Sequence, residues 1–261
     1  NAGGRVAVWG GVVVVGAGWD AVLQVGRMGV VCLGPGLGTG AREAGLLAAA
    51  LGAGQSERPV SLVLDADALT ILSRDAGLFG ALHDGCVLTP HGGEFARLFP
   101  DIAERLAAPA VTGPAFSKVD ATREAAVRAG CVVLFKGADT VIAAPDGRCA
   151  INSAHYDRAA PWLATAGSGD VLAGFITGLL ARGFSPFDAA CTGAWLHVEC
   201  AREFGPGLIA EDLPETLPDA ALSDAPGFAA WAARSVSPHK VPGYRAVTVS
   251  LKAHGVAPGD A

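Results

Sequence analysis

The chain has 261 residues, 51% apolar and 17% charged, with a net charge of −6 and a mean hydropathy of +0.40. So much apolar side chain builds a sizeable core, which excludes global disorder. The 19 Lys and Arg against 25 Asp and Glu exclude a nucleic-acid binder held by a basic surface, because counterion release needs clustered cations.

Val6–Trp19 is uncharged and broken by glycine. It reads as a buried strand, a Gly turn and a second strand rather than as the signal-peptide core it faintly resembles. No Met opens the chain, so the natural N-terminus is expected upstream. Further buried strands are predicted at Val12–Val15, Val30–Leu33, Leu62–Leu64, Cys86–Leu88, Val132–Phe135 and Val141–Ala144. Helical stretches fall between them at Ala41–Leu51, Ala68–Leu72, Glu94–Leu98 and Ser117–Ala129. Such alternation argues for one α/β domain, a central mostly parallel sheet with helices on both faces. Val141–Ala144, the Pro145-Asp146-Gly147 turn and Arg148–Asn152 read as a hairpin. Two longer helices follow. Asp170–Arg182 stops at Gly183, and Pro186–Phe204 has proline at its start and Gly205 after its end. Beyond Pro218 the composition turns to Ala, Pro, Ser and Asp. Residues 1–218 therefore read as the core and 219–261 as a tail, with Asp219–Pro226 a linker, Ala229–Ser235 a short helix and Ala246–Leu251 a last strand.

Six Cys lie in apolar or Gly-rich surroundings, and no two are separated by only two residues. Zinc-ribbon and thioredoxin spacings are absent, and buried reduced thiols in a cytoplasmic protein are expected. No apolar run reaches the length of a membrane span.

The chemistry concentrates in five segments. Ala164-Thr165-Ala166-Gly167-Ser168-Gly169-Asp170 opens an apolar helix. Small residues admit close backbone approach, and the first N–H groups of a helix make an anion hole. Asp170 reads either as a base on a hydroxyl attacking phosphate or as an N-cap. The missing Gly-Lys-Ser/Thr ending excludes a Walker A loop. Gly34-Pro35-Gly36-Leu37-Gly38 is a glycine turn after a strand, where ligands bind in open α/β sheets. Asp65 and Asp67 end another strand and read as substrate or water-mediated Mg²⁺ ligands, or, for Asp67, as a helix cap. His91 and Glu94 follow a proline turn at the same edge. Lys136 closes a further strand, placed to neutralise phosphate with help from the Thr140 hydroxyl, or else as an ordinary exposed Lys. His197, inside the last long helix, reads as a packing residue.

The ordered motifs GPGLG, LDADAL, LTPHxGE, KGxDT and GSGDVLAG resemble the ADP/ATP-dependent NAD(P)H-hydrate dehydratases of the ribokinase-like superfamily, bacterial type. The resemblance runs from about Val30 to Pro218. It implies a ribokinase-like fold and an ADP-dependent dehydration of (6S)-NAD(P)H hydrate by phosphorylation of the ring hydroxyl and loss of phosphate. By that resemblance Asp170 is the base. Lys136, Gly137, Ala138, Asp139, Thr140, Gly167, Ser168 and Gly169 bind nucleotide, and Gly36, Gly38, Asp65, His91 and Asp170 contact the hydrate. ADP or ATP is the donor, and Mg²⁺ rides on the nucleotide with no protein metal site assigned. An NAD(P)H-hydrate epimerase is the functional partner, homo-oligomerisation is expected, and no nucleic acid or membrane is involved. A vitamin kinase of hydroxyethylthiazole or pyridoxal type, or a non-catalytic nucleotide-binding relative, is the alternative. Gly92 stands where the family often has Pro, and Ala159-Ala160-Pro161-Trp162 where many members have a Gly-Asn turn. Ser237-Pro238-His239-Lys240 and Ala246–Ser250 resemble the family's usual opening. The chain therefore reads either as rotated, its tail supplying the first strand, or as truncated with an unrelated tail.

Overall fold

Strands that are apolar at every position can be buried on both faces, and that is how the sheet is built. The computed structural model describes residues 7–9, 12–14, 28–55, 59–111, 113–222 and 245–249. Among them, β1 (Ala7–Trp9) and β2 (Val12–Val14) form an antiparallel pair. Then come β3 (Met28–Leu33), β4 (Ser61–Leu64), β5 (Cys86–Leu88), β6 (Val132–Phe135), β7 (Asp139–Ala143), β8 (Cys149–Ser153) and β9 (Arg245–Val249), seven strands in the order β8-β7-β6-β5-β4-β3-β9. From β9 to β6 every pairing is parallel. The β7–β8 hairpin closes the other edge in antiparallel fashion.

Parallel strands need crossovers, and helices supply them. They are α1 (Ala41–Gly54), α2 (Ala66–Leu72), α3 (Ala76–Gly80), α4 (Gly92–Leu98), α5 (Pro100–Ala107), α6 (Lys118–Ala129), α7 (Ser168–Ala181), α8 (Pro186–Phe204) and α9 (Asp212–Leu222). Alternation within single strands divides the core. Val31, Leu33, Leu62 and Leu64 pack with Leu47, Leu69, Phe95 and Ala125 of α1, α2, α4 and α6. Val30, Cys32, Val63 and Val87 pack with Leu172, Ile176 and Ala190 of α7 and α8. The result is a three-layer sandwich with helices on both faces, as the α/β alternation predicts.

Several boundaries move. α7 starts at Ser168, and its N-cap position is Gly167 with φ +84°; Asp170 therefore sits in the first turn and is not the cap. The short helices α3 and α5 were not expected; at 5 and 8 residues they span too few turns for a helical period to stand out. The stretch read as a linker from Asp219 begins inside α9, which runs to Leu222. The expected helix at Ala229–Ser235 lies outside the described residues. A strand does occur near the expected Ala246–Leu251, namely β9, parallel to β3 with Val247 opposite Val31. Among the described residues no helix is long and apolar enough to cross a membrane.

Candidate functional site

Parallel strands all point their C-terminal ends to one edge, so the segments after β3, β4, β5 and β6 meet there. The turn after β3 closes with Leu37 N–H donating to the Gly34 carbonyl (3.0 Å). Pro35 suits the first central position and Gly36, with φ +64°, the second. Gly34 is obligatory: a Cβ there would fall 1.7 Å from the Asp65 carbonyl oxygen. The two strand-end loops therefore touch backbone to backbone.

Between the two acids of that second loop, Ala66 takes φ +45°, and the acids find different partners. Asp67 accepts from the Gly38 N–H at 2.8 Å, tying the glycine turn down; it is not a helix cap. Asp65 is 1% exposed and accepts from Lys136 Nζ at 2.8 Å. Its second oxygen, Oδ2, is buried with no hydrogen-bond partner. Glu94, also buried, lies 3.9 Å from the same ammonium. Lys136 thus stands between two buried carboxylates, far from the exposed Lys of the simpler reading.

His91 occupies the N-cap of α4. Its Nδ1 accepts from Gly93 N–H (3.0 Å), and its own N–H donates to Glu94 Oε2 (2.8 Å), a reciprocal box. The ring is left more than half exposed at the sheet edge. In this way the histidine predicted to touch substrate also holds Glu94 in place beside Lys136.

The first turn of α7 brings the remaining groups. A Cβ on Gly169 would lie 3.3 Å from Lys136 Nζ, so the ammonium rests against the helix start. First-turn N–H groups lack partners within a helix and carry the positive end of its dipole. The two features together make a strongly anion-seeking corner, with Asp170 exposed on the same turn. The Ser168 hydroxyl donates to the Leu163 carbonyl at 2.7 Å and its N–H, weakly, to the Thr165 carbonyl at 3.4 Å. The Ser168 carbonyl accepts from His197 Nε2 at 2.8 Å. Burial pushes His197 down to about 4, so it is neutral, with its proton on Nε2. The packing residue of α8 is thereby also a brace for the turn.

Beside this corner opens a cavity of about 340 Å³, lined by Lys136–Ala138, Thr140 and Asn152, by Ala160, Pro161, Leu163 and Ala164, by Ser168 and Gly169, and by Ala194 and His197 of α8. Its walls are mostly apolar, which suits a flat, weakly polar group next to a charged one. The Thr140 hydroxyl is turned onto its own loop, donating to the Gly137 carbonyl (3.0 Å). Asp139 is exposed. Asn152 was not singled out from sequence. It donates to the Ala194 carbonyl (2.9 Å) and accepts from Arg158, which also grips Glu199. That network needs three elements to be brought together, and no local pattern marks it. Lys118 was missed for the same reason; its ammonium reaches the carbonyls of Lys136 and Asp139. Among the described residues no group of three His, Cys, Asp or Glu is placed to hold a metal ion.

Comparison with known proteins gives a consistent result. The model of the family described as NAD(P)H-hydrate dehydratase matches residues 12–220. The ADP-dependent (S)-NAD(P)H-hydrate dehydratase of Neisseria meningitidis serogroup B is 44% identical over 173 residues, 63% of this chain and 51% of that protein. The bifunctional NAD(P)H-hydrate repair enzyme of Moorella thermoacetica is 38% identical over 205 residues, 76% of this chain and 36% of that one. The crystal structure of the Bacillus subtilis ADP/ATP-dependent NAD(P)H-hydrate dehydratase with ATP/Mg²⁺ superposes with a TM-score of 0.56 at 26% identity, covering 78% of this chain and 68% of that one. The chain spans about half the length of the first of these curated relatives and about a third of the second.

Proposed function

The chain belongs to the NAD(P)H-hydrate dehydratase family, and we propose that it performs the reaction of that family, restoring the (6S) hydrate of NADH or NADPH to the reduced dinucleotide at the expense of a nucleotide phosphate. The observation that carries this reading is Lys136 resting against Gly169 at the start of α7, with Asp170 on the same turn and an apolar cavity alongside.

Hydroxide is a poor leaving group and phosphate a good one, so dehydration through a phosphate ester is chemically sensible. Asp170 takes the proton of the ring hydroxyl as its oxygen attacks the terminal phosphorus. The bond from that phosphorus to the nucleotide breaks, and AMP leaves when ADP is the donor. The N–H groups of the Gly167–Gly169 turn and the Lys136 ammonium hold the negative charge that builds on the transferred group. The ring C–O bond then breaks with departure of phosphate, a neighbouring ring proton is lost, and the double bond returns.

The nucleotide base takes the apolar cavity, with Lys136, Gly137, Ala138, Asp139 and Thr140 forming its loop. Gly36, Gly38 and His91 take the hydrate side, the sheet edge beyond Lys136, and Asp65, buried, serves that side through the lysine it holds. Mg²⁺ carried by the nucleotide phosphates would supply charge neutralisation there, beside the ammonium of Lys136. ADP as donor rests on the name of the Neisseria relative. The fused epimerase activity implied by the bifunctional relatives makes a hydrate epimerase the natural partner, in the cytoplasm where the cofactors circulate. The tail, 219–261, is read as part of the same domain, a reading supported by β9 lying alongside β3.

The test is recovery of reduced-nicotinamide absorbance from purified NADH hydrate with Mg²⁺ and either ADP or ATP. Recovery with one nucleotide fixes reaction and donor together. No recovery with either, while hydroxyethylthiazole or pyridoxal is phosphorylated, moves the protein to the vitamin kinases.

A further inference from the structure

A lysine that touches none of the proposed ligands is built into the back of the Lys136–Thr140 loop. Lys118 opens α6, and its Nζ donates to the carbonyls of Lys136 (3.1 Å) and Asp139 (2.6 Å). The ammonium lies 4.3 Å from the centre of the Phe135 ring, which itself stacks on Phe95 at 4.1 Å. It fills the space left by a missing side chain, since a Cβ on Gly137 would fall 2.6 Å from it. A cation over an aromatic face with two carbonyl acceptors is a site made for that cation.

The geometry has a directional consequence. In a trans peptide the carbonyl of one residue and the N–H of the next point opposite ways. With the carbonyls of Lys136 and Asp139 drawn onto Lys118, the N–H of Gly137 faces away from it, while the N–H of Thr140 turns to its partner Asn152 in the β7–β8 ladder. Gly137 lines the cavity, and the ladder fixes the Thr140 end of the loop. The Thr140 hydroxyl fixes the intervening Gly137 carbonyl, and Ala154 N–H fixes that of Ala138 at 2.8 Å. Every carbonyl from 136 to 139 is therefore held from within the protein.

We propose that Lys118 is a positioning residue for the nucleotide, a cation behind the loop that sets the direction of the Gly137 N–H and the shape of the loop before the ligand arrives. The proposal rests on the reading of residues 136–140 as the nucleotide loop. It assigns to Lys118 a part in nucleotide affinity and none in the phosphoryl transfer itself.

The experiment is steady-state kinetics of the full chain with hydrate and nucleotide varied separately, together with ADP titration followed by calorimetry. Hydrogen bonds to a charged group are individually strong, so Lys118→Met should raise the nucleotide KM about tenfold or more. At saturating nucleotide, kcat and the hydrate KM should stay within about threefold of the parent, and Lys118→Arg, which keeps a cation with several N–H groups, should recover most of the affinity. A nucleotide KM unchanged in Lys118→Met overturns the proposal. So does a loss spread equally over kcat and both KM values, which is what a merely structural residue gives. If Lys118→Met does not fold, Lys118→Gln carries the same comparison. A parent protein that binds ADP but turns over no hydrate sinks the dehydratase reading instead, and the calorimetric titration then still decides for or against Lys118.

Discussion

Lys136 and Asp65 stand 71 positions apart in the chain, and their side chains meet at 2.8 Å where β6 and β4 end. Neither group has an alternative in bulk water, since Asp65 is 1% and the Lys136 side chain 17% exposed. Removing one partner of a buried pair strands the other, which costs about 3 kcal/mol or more. Asp65→Asn should therefore lower unfolding free energy by about 3 kcal/mol in urea titration, and Lys136→Met by a similar amount. The double variant should lose clearly less than the sum, because the two losses are one interaction. Additive losses would mean that the pair contributes nothing beyond its separate parts.

Asp170 can be separated from the fold more cleanly. It is exposed in the first turn of α7, and Gly167 rather than Asp170 holds the cap position. Loss of a general base costs about 10²–10⁴ in rate. Asp170→Asn should thus lose hydrate turnover on that scale, keep ADP binding within a few-fold, and melt close to the parent. Undiminished turnover would remove Asp170 from the chemistry.

Acid should loosen the fold through His197. Burial lowers its pKa from 6.5 to about 4. An unfolded chain then binds a proton that the folded chain refuses, so this histidine's share of stability is present above pH 6.5 and lost as pH falls towards 4. The shift corresponds to about 3 kcal/mol. Urea titrations across that window should show the fall in the parent and a shallower one in His197→Gln. Parallel curves would show that the histidine titrates as freely in the fold as out of it.

Alkali should act through the thiols. Burial pushes Cys32, Cys86, Cys191 and Cys200 from 9.0 up to about 12, and Cys131 well above 9.0. Their contribution is complete below pH 9 and is lost as pH rises from 9 towards 12, each thiol adding a slope of about 1.4 kcal/mol per pH unit. Lys118, lowered to about 8 from 10.5, pulls the other way between those values but is a single group against several. Melting temperature should therefore decline steadily above pH 9. A melting temperature flat to pH 11 would show that the thiols ionise in the folded state.

Local signals made most of the fold legible. Pro186 and Gly205 bracket α8 as the sequence suggests, and Ser185 adds the cap, because a cap, a first-turn proline and a terminal glycine are all decided by neighbours in the chain. The strands of the sheet centre were readable for a like reason: an apolar run flanked by glycine or aspartate has few other fates. What the site residues do to one another was not readable. That Asp67 holds Gly38 and that Lys136 meets Asp65 depend on which loop ends the sheet brings together. Lys118 is the extreme case. As a residue it is one polar position at the start of an amphipathic helix, and only the tertiary fold carries it to the carbonyls 18 and 21 positions further on.

The pooling of strand ends at one sheet edge bears on how the protein would answer to its ligand in a crowded, protease-rich cell. Groups from Gly34 to His197 share one corner, and no continuous peptide holds more than a fraction of it. A partly opened chain has no corner to offer, so ligand binds the complete fold alone and stabilises all of it by mass action, about 2.7 kcal/mol at one hundred times Kd. Nucleotide supply would then govern the lifetime of the protein as well as its rate, with starved protein the first to be degraded.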